Sequence, residues 1–152
     1  MLYLLEIQEE DKVSYAVSLV PSDIRDIPSE GIIGRAKTAK NPILPGEFTP
    51  NPEFLKFLHN CVERFGPLSP NLKKEAARQV NGLIYVIDAR NRTPIGDVPP
   101  EDIIGAFEVR GSQVHPETYR ANPNYRLLTL KGFFILDKFI EEKLLEALNK
   151  PA

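Results

Sequence analysis

Apolar and polar residues alternate most cleanly over residues 101–114. There Ile103, Gly105, Phe107 and Val109 interleave with Ile104, Ala106, Glu108 and Arg110. A period of two marks a strand with one buried face. Gly111-Ser112 follows, and glycine at the first turn position predicts a two-residue type II′ hairpin. Folding back there sets Arg110 opposite Gln113, Val109 opposite Val114 and Glu108 opposite His115. The same alternation at Tyr3, Leu5 and Ile7, and again at Val13, Tyr15, Val17 and Leu19, predicts an N-terminal hairpin that turns within the polar residues 9–12.

Helical spacing begins at Asn51-Pro52, an N-cap followed by proline at the first helical position. Phe54, Leu55, Leu58, Val62 and Phe65 form one stripe, and Gly66-Pro67 is a stop signal. Ser69-Pro70 starts a second helix with Leu72, Ala76 and Val80 on its apolar side. Asp137 is placed to cap a terminal helix carrying Ile140, Leu144 and Leu148. Residues 83–87, LIYVI, are apolar without alternation, which predicts a strand covered on both faces near the middle of the sheet. A further strand is expected at residues 125–130, after the turn residues Asn122-Pro123-Asn124.

Residues 21–52 break this regularity. Six prolines (21, 28, 42, 45, 50 and 52), with Gly31, Gly34 and Gly46 between them, predict a long Pro-rich loop with room for a short strand near residues 31–33. No internal repeat of useful length stands out. Two leading strands and a block of helices argue against repeated βαβ units. The expected fold is a single α+β domain over residues 1–152, with a mixed or largely antiparallel sheet packed against two or three helices.

Composition narrows the function classes. The 152 residues are 42% hydrophobic and 26% charged, as in ordinary globular proteins. A net charge of -2 and a pI near 5.8 give no electrostatic reason to seek nucleic acid or an anionic membrane. Arg35, Lys37 and Lys40 are too dispersed to define a basic footprint. The lone Cys61 excludes an intrachain disulfide and reads as a core residue. The N-terminus lacks the basic region of a signal peptide, and no apolar run reaches membrane-spanning length, so a cytoplasmic location is expected.

Chemical signatures are sparse. His59 and Cys61 lie two apart on a helix and point to different sides, and His115 is the only other histidine, so neither a metal nor a cofactor is expected. Glycine-rich nucleotide loops and the Gly-x-Ser-x-Gly elbow are absent from the sequence. Two constellations remain. Glu108 beside His115 is a carboxylate–imidazole pair suited either to acid–base work or to a plain cross-strand contact. The loop at residues 88–97 offers Asp88 as a base or metal ligand, and Arg90 and Arg92 as a grip for a carboxylate or phosphate. Tyr119, Arg120 and Tyr125 add an aromatic–basic patch suited to a protein partner.

The expected function is a non-enzymatic binding or protein-interaction module, meeting a protein partner or a small anionic ligand. The alternative is a small hydrolase or transferase acting on an anionic substrate. Its catalytic candidates are Asp88, Glu108 and His115, and its ligand-binding candidates are Arg90, Arg92, Tyr119 and Arg120.

Overall fold

Strands β1 (Tyr3–Glu9) and β2 (Lys12–Ser18) form the expected N-terminal hairpin in the computed structural model, which describes residues 2–92 and 98–149. Their sheet continues through β3 (Ile32–Ala36) and β4 (Phe48–Pro50), in the order β1-β2-β3-β4. Helices α1 (Pro52–Phe65) and α2 (Pro70–Gln79) follow. A second sheet, β5 (Gly82–Ile87), β6 (Ile103–Arg110) and β7 (Gln113–Ala121), runs in sequence order, and every pairing in both sheets is antiparallel. A two-residue pair, β8 (Leu128–Thr129) with β9 (Gly132–Phe133), leads into α3 (Lys138–Asn149). The fold is α+β, as the chain pattern predicts.

Both sheets and all three helices supply one continuous core. Phe54, Leu58 and Val62 of α1 meet Ile33 of the first sheet, Ile84, Ile104 and Phe107 of the second, and Ile140 and Leu144 of α3. Asn51 and Asp137 cap their helices as read, whereas Ser69 makes no side-chain cap bond and Val80, expected on the apolar side of α2, lies just past its end and is exposed. Asn51 Oδ1 accepts from the Glu53 N–H at 3.2 Å, and Asp137 Oδ2 accepts from the Ile140 N–H at 3.3 Å. Cys61 is buried among these residues, and burial pushes its thiol pKa up to about 11.

Four expectations need correction. Residues 21–52 are not one loop: they hold β3, β4 and three 3-10 turns, with proline placed at the turn starts and on a strand end, where a missing N–H is tolerated. The expected strand at residues 125–130 shrinks to β8. The β6–β7 hairpin has the predicted register, but Gly111 and Ser112 both have positive φ (58° and 66°), which is the type I′ pattern rather than II′. The LIYVI strand is an edge, not a centre. Ile84 and Val86 are buried, whereas Leu83, Tyr85 and Ile87 are 51%, 53% and 42% exposed.

The chain also contains a repeat that spacing alone conceals. Pro28, Glu30, Ile32, Ile33, Gly34, Asn51 and Pro52 recur at a constant offset of 71 as Pro99, Glu101, Ile103, Ile104, Gly105, Asn122 and Pro123. The structure repeats with them. Val17 faces Gly34 as Val86 faces Gly105, and a bulge follows at Val17/Ser18 as at Val86/Ile87. The Asn51 amide donates to the Ser29 and Ile32 carbonyls (3.0 and 2.8 Å), and the Asn122 amide donates to those of Pro100 and Ile103 (both 2.8 Å). Each asparagine thus ties the strand that precedes it to the turn that opens the neighbouring strand. The unit β2-β3-β4 is therefore matched by β5-β6-β7.

At the crossing point of each unit only a glycine fits. A Cβ on Gly34 would lie 2.3 Å from the Thr49 carbonyl oxygen, and one on Gly105 would lie 2.7 Å from that of Arg120. The obstacle is backbone, so the strands would have to separate. Gly34→Ala and Gly105→Ala are each expected to destabilise the protein by about 1–3 kcal/mol, as overpacking does. Gly46→Ala, which would meet nothing within 4 Å, should leave the urea midpoint nearly unchanged.

Candidate functional site

Where β5 ends, the side chains of Asp88 and Arg90 turn inward. Asp88 and Asp102 are fully buried, and the Arg90 side chain lies between them with 1% of its surface exposed. Arg90 Nε donates to Asp102 Oδ1 at 2.9 Å. Its Nη1 donates to the carbonyls of Leu127 (3.0 Å) and Gly132 (3.4 Å), and its Nη2 to those of Glu101 (2.9 Å) and Arg126 (2.5 Å). All five guanidinium donors are thereby committed to the protein.

Asp88 is equally occupied. Its Oδ1 accepts from the N–H groups of Arg90 and Ile135, both at 2.9 Å, and its Oδ2 from the Tyr125 hydroxyl at 2.7 Å. Burial and the neighbouring Asp88 carboxylate raise the Tyr125 pKa well above its ordinary value, so the phenol keeps the proton it donates. Asp102 Oδ2 accepts from Asn91 (3.1 Å) and from the half-exposed Lys131 ammonium (2.5 Å). Burial alone would raise the Asp102 pKa. Hydrogen bonds from Lys131, Arg90 and Asn91 outweigh it and hold this carboxyl below its usual range.

This cluster fastens residues 126–135 to the end of the second sheet. A surface groove of about 610 Å³ lies nearby, lined by Pro45, Pro123, Tyr125, Arg126 and Leu130, but Asp88, Arg90 and Arg92 do not line it. Arg92 is exposed, and residues 93–97 of the same loop lie outside the described residues.

Tyr119 also turns inward. Its ring packs 4.8 Å from Phe107, and its hydroxyl lies 2.7 Å from His59 Nδ1 on α1. Burial lowers the His59 pKa and raises that of Tyr119, so a neutral imidazole accepts from a neutral phenol. Tyr125 is in the buried cluster and Tyr119 is half-buried, so Arg120 alone of the aromatic–basic trio is exposed. The three do not form a patch.

The remaining candidates lie on the outer face of the second sheet. Glu108 pairs with His115 in register, yet each side chain takes another partner: His115 Nδ1 meets Glu117 Oε1 at 3.1 Å, and Glu108 pairs with Arg110. A bulge beside Glu108 is filled by Thr118, whose hydroxyl accepts from the Glu108 N–H and donates to the His115 carbonyl. Across this face the register aligns Leu83 with Glu108, Tyr85 with Ala106 and Arg120, and Ile87 with Ile103. The face therefore grades from exposed apolar side chains on β5 to charged ones on β7.

Sequence reasoning missed Leu83, Tyr85 and Ile87 as surface residues. The repeat carries the signal that would have marked two of them: Ala16 and Ser18, which hold the positions of Tyr85 and Ile87 in the first unit, are small and fully buried. Among the described residues no cluster of metal-ligating side chains occurs, and no helix is long and apolar enough to cross a membrane. No known protein-family model, curated protein or solved structure matches the chain.

Asp102 yields a pH test. Its folded pKa lies below the ordinary 3.8, so its contribution to stability is fully present above that value and is lost as pH falls through the depressed one. Asp102→Asn should flatten the acid limb of the stability–pH curve, read from urea melts between about pH 2 and 5. Arg90→Met, which strands two buried carboxylates, should cost about 3–5 kcal/mol at neutral pH.

Proposed function

We propose that this protein is a non-enzymatic interaction module that docks a protein partner on the outer face of the β5-β6-β7 sheet. The observation that carries this reading is the trio Leu83, Tyr85 and Ile87, large apolar side chains left in solvent, two of them (Tyr85 and Ile87) where the matching unit buries the small Ala16 and Ser18. An exposed tyrosine, Tyr85, with an arginine, Arg120, aligned across the same face belongs to the residue types enriched at protein contacts. Glu108 and His115 contribute to the polar rim of this surface.

We place second the rival reading, a small hydrolase or transferase acting on an anionic substrate. Its proposed base, Asp88, and its anion clamp, Arg90, have their hydrogen-bonding capacity filled by the protein itself.

Changing the face without touching the β5 edge tests the proposal. With Ala106→Lys and Arg120→Glu combined, affinity for a partner captured by the parent protein should fall by about 2 kcal/mol or more, the scale of an interface hot spot. The melting temperature should hold. Unchanged capture by a folded double variant would defeat this reading.

A further inference from the structure

The two larger sheets have four edges between them, and three of the four are defended. The outer strand β1 carries Glu6 and Glu9; β4 is only three residues long and ends in Pro50; β7 contains Pro116 and Glu117. Short length, charge and proline are the common devices that stop an edge from recruiting another strand. Strand β5, GLIYVI, has none of them: six residues with neither charge nor proline.

The internal repeat shows what such an edge accepts. In the first unit, β2 is flanked on its outer side by β1, paired antiparallel over the whole strand. β5 holds the position of β2 in the second unit, yet among the described residues no strand pairs with its outer side. Just beyond Ile87, among the described residues, the Ala89 N–H donates to the Ile135 carbonyl at 2.8 Å.

We infer that the outer edge of β5 pairs antiparallel with β5 of a second copy of this chain, joining two β5-β6-β7 sheets across a two-fold axis. Three features favour a second copy over a foreign peptide. The strand is uncharged along its length, so self-pairing brings no like charges together. An axis perpendicular to the sheet keeps Leu83, Tyr85 and Ile87 of both copies on one face, where they become cross-strand neighbours. The strand ends also match: Val80 at one end and Ile135 at the other are each 47% exposed, and an antiparallel two-fold brings unlike ends together, apolar against apolar. A net charge of only -2 per chain opposes association weakly. This inference rests on the interaction-module reading. In the pair, the edges serve self-association and the joined outer faces present a single wider surface to the partner.

Sedimentation equilibrium across a micromolar to submillimolar dilution series, with hydrogen exchange at both ends of the series, decides the matter. The parent should approach twice 17.1 kDa. Exchange at β5 amides should slow as concentration rises, because edge pairing protects the outward N–H groups. Leu83→Lys with Tyr85→Lys should raise the dissociation constant by at least about tenfold while leaving the melting temperature unchanged at the dilute end of the series, where the parent is monomeric. Leu130→Lys, at the most exposed apolar side chain elsewhere, should leave association unchanged. A parent that stays monomeric throughout would overturn the inference, as would a dimer whose β5 amides gain no protection or one that survives the double lysine variant. In the monomeric case, partner capture that is lost in the Ala106→Lys/Arg120→Glu variant would leave the module reading standing. Unchanged capture would remove both.

Discussion

A guanidinium taken out of water must find an acceptor for every donor, and Arg90 meets that demand in a way that organises the C-terminal third of the chain. Taking a charge into the interior costs several kcal/mol even after relaxation. The acceptors that offset it come from Asp102 and from carbonyls of residues 101, 126, 127 and 132. Three of those carbonyls lie on residues 126–132, whose regular structure is limited to the short β8–β9 pair. With only the two-residue β8–β9 ladder of its own, the segment is held largely by the arginine, and it then delivers Phe134 against Phe54 (ring centroids 5.5 Å apart) and α3 into the core.

The two β units show two solutions to one problem. In each, a conserved geometry runs from an N–H at the end of the first strand to a carbonyl at the turn: Leu19 to Gly31 in one, Asp88 to Asp102 in the other. After Asn51-Pro52 the chain enters α1 and buries Phe54. After Asn122-Pro123 it enters the irregular segment and buries Tyr125. Leucine, glycine and phenylalanine at one set of positions thus become two aspartates and a tyrosine at the other. Where a helix supplies its own backbone hydrogen bonds, the contact is greasy; where no helix follows, side chains supply them.

Legibility from sequence followed how local each cause is. The hairpin at Gly111-Ser112 and the starts at Asn51-Pro52 and Ser69-Pro70 are set by neighbouring residues, and all were readable with correct register or boundary. The side of β5 that faces solvent depends on what packs against it from elsewhere in the chain, and an all-apolar strand fits a sheet centre and a bare edge equally well. Asp88 and Arg90 show the same limit for the site: an aspartate and an arginine two apart look alike whether they grip a ligand or each other's backbone. The repeat was present in the text of the sequence, in the Ile-Ile-Gly and Asn-Pro pairs, but unlike intervening segments hid their common spacing.

Because β2 and β5 occupy equivalent places in their units, the N-terminal strand has two geometrically similar docking edges within one molecule. Their separation along the chain decides between them. Joining β1 to β2 closes a turn of two residues, whereas joining it to β5 would close a loop of roughly 70, an entropic difference of about 3 kcal/mol. Local closure therefore favours β2 over β5 as the partner of β1 by that amount. A circular permutation that moved β1 to the far end of the chain would erase that preference and make the choice of edge a matter of side-chain fit alone.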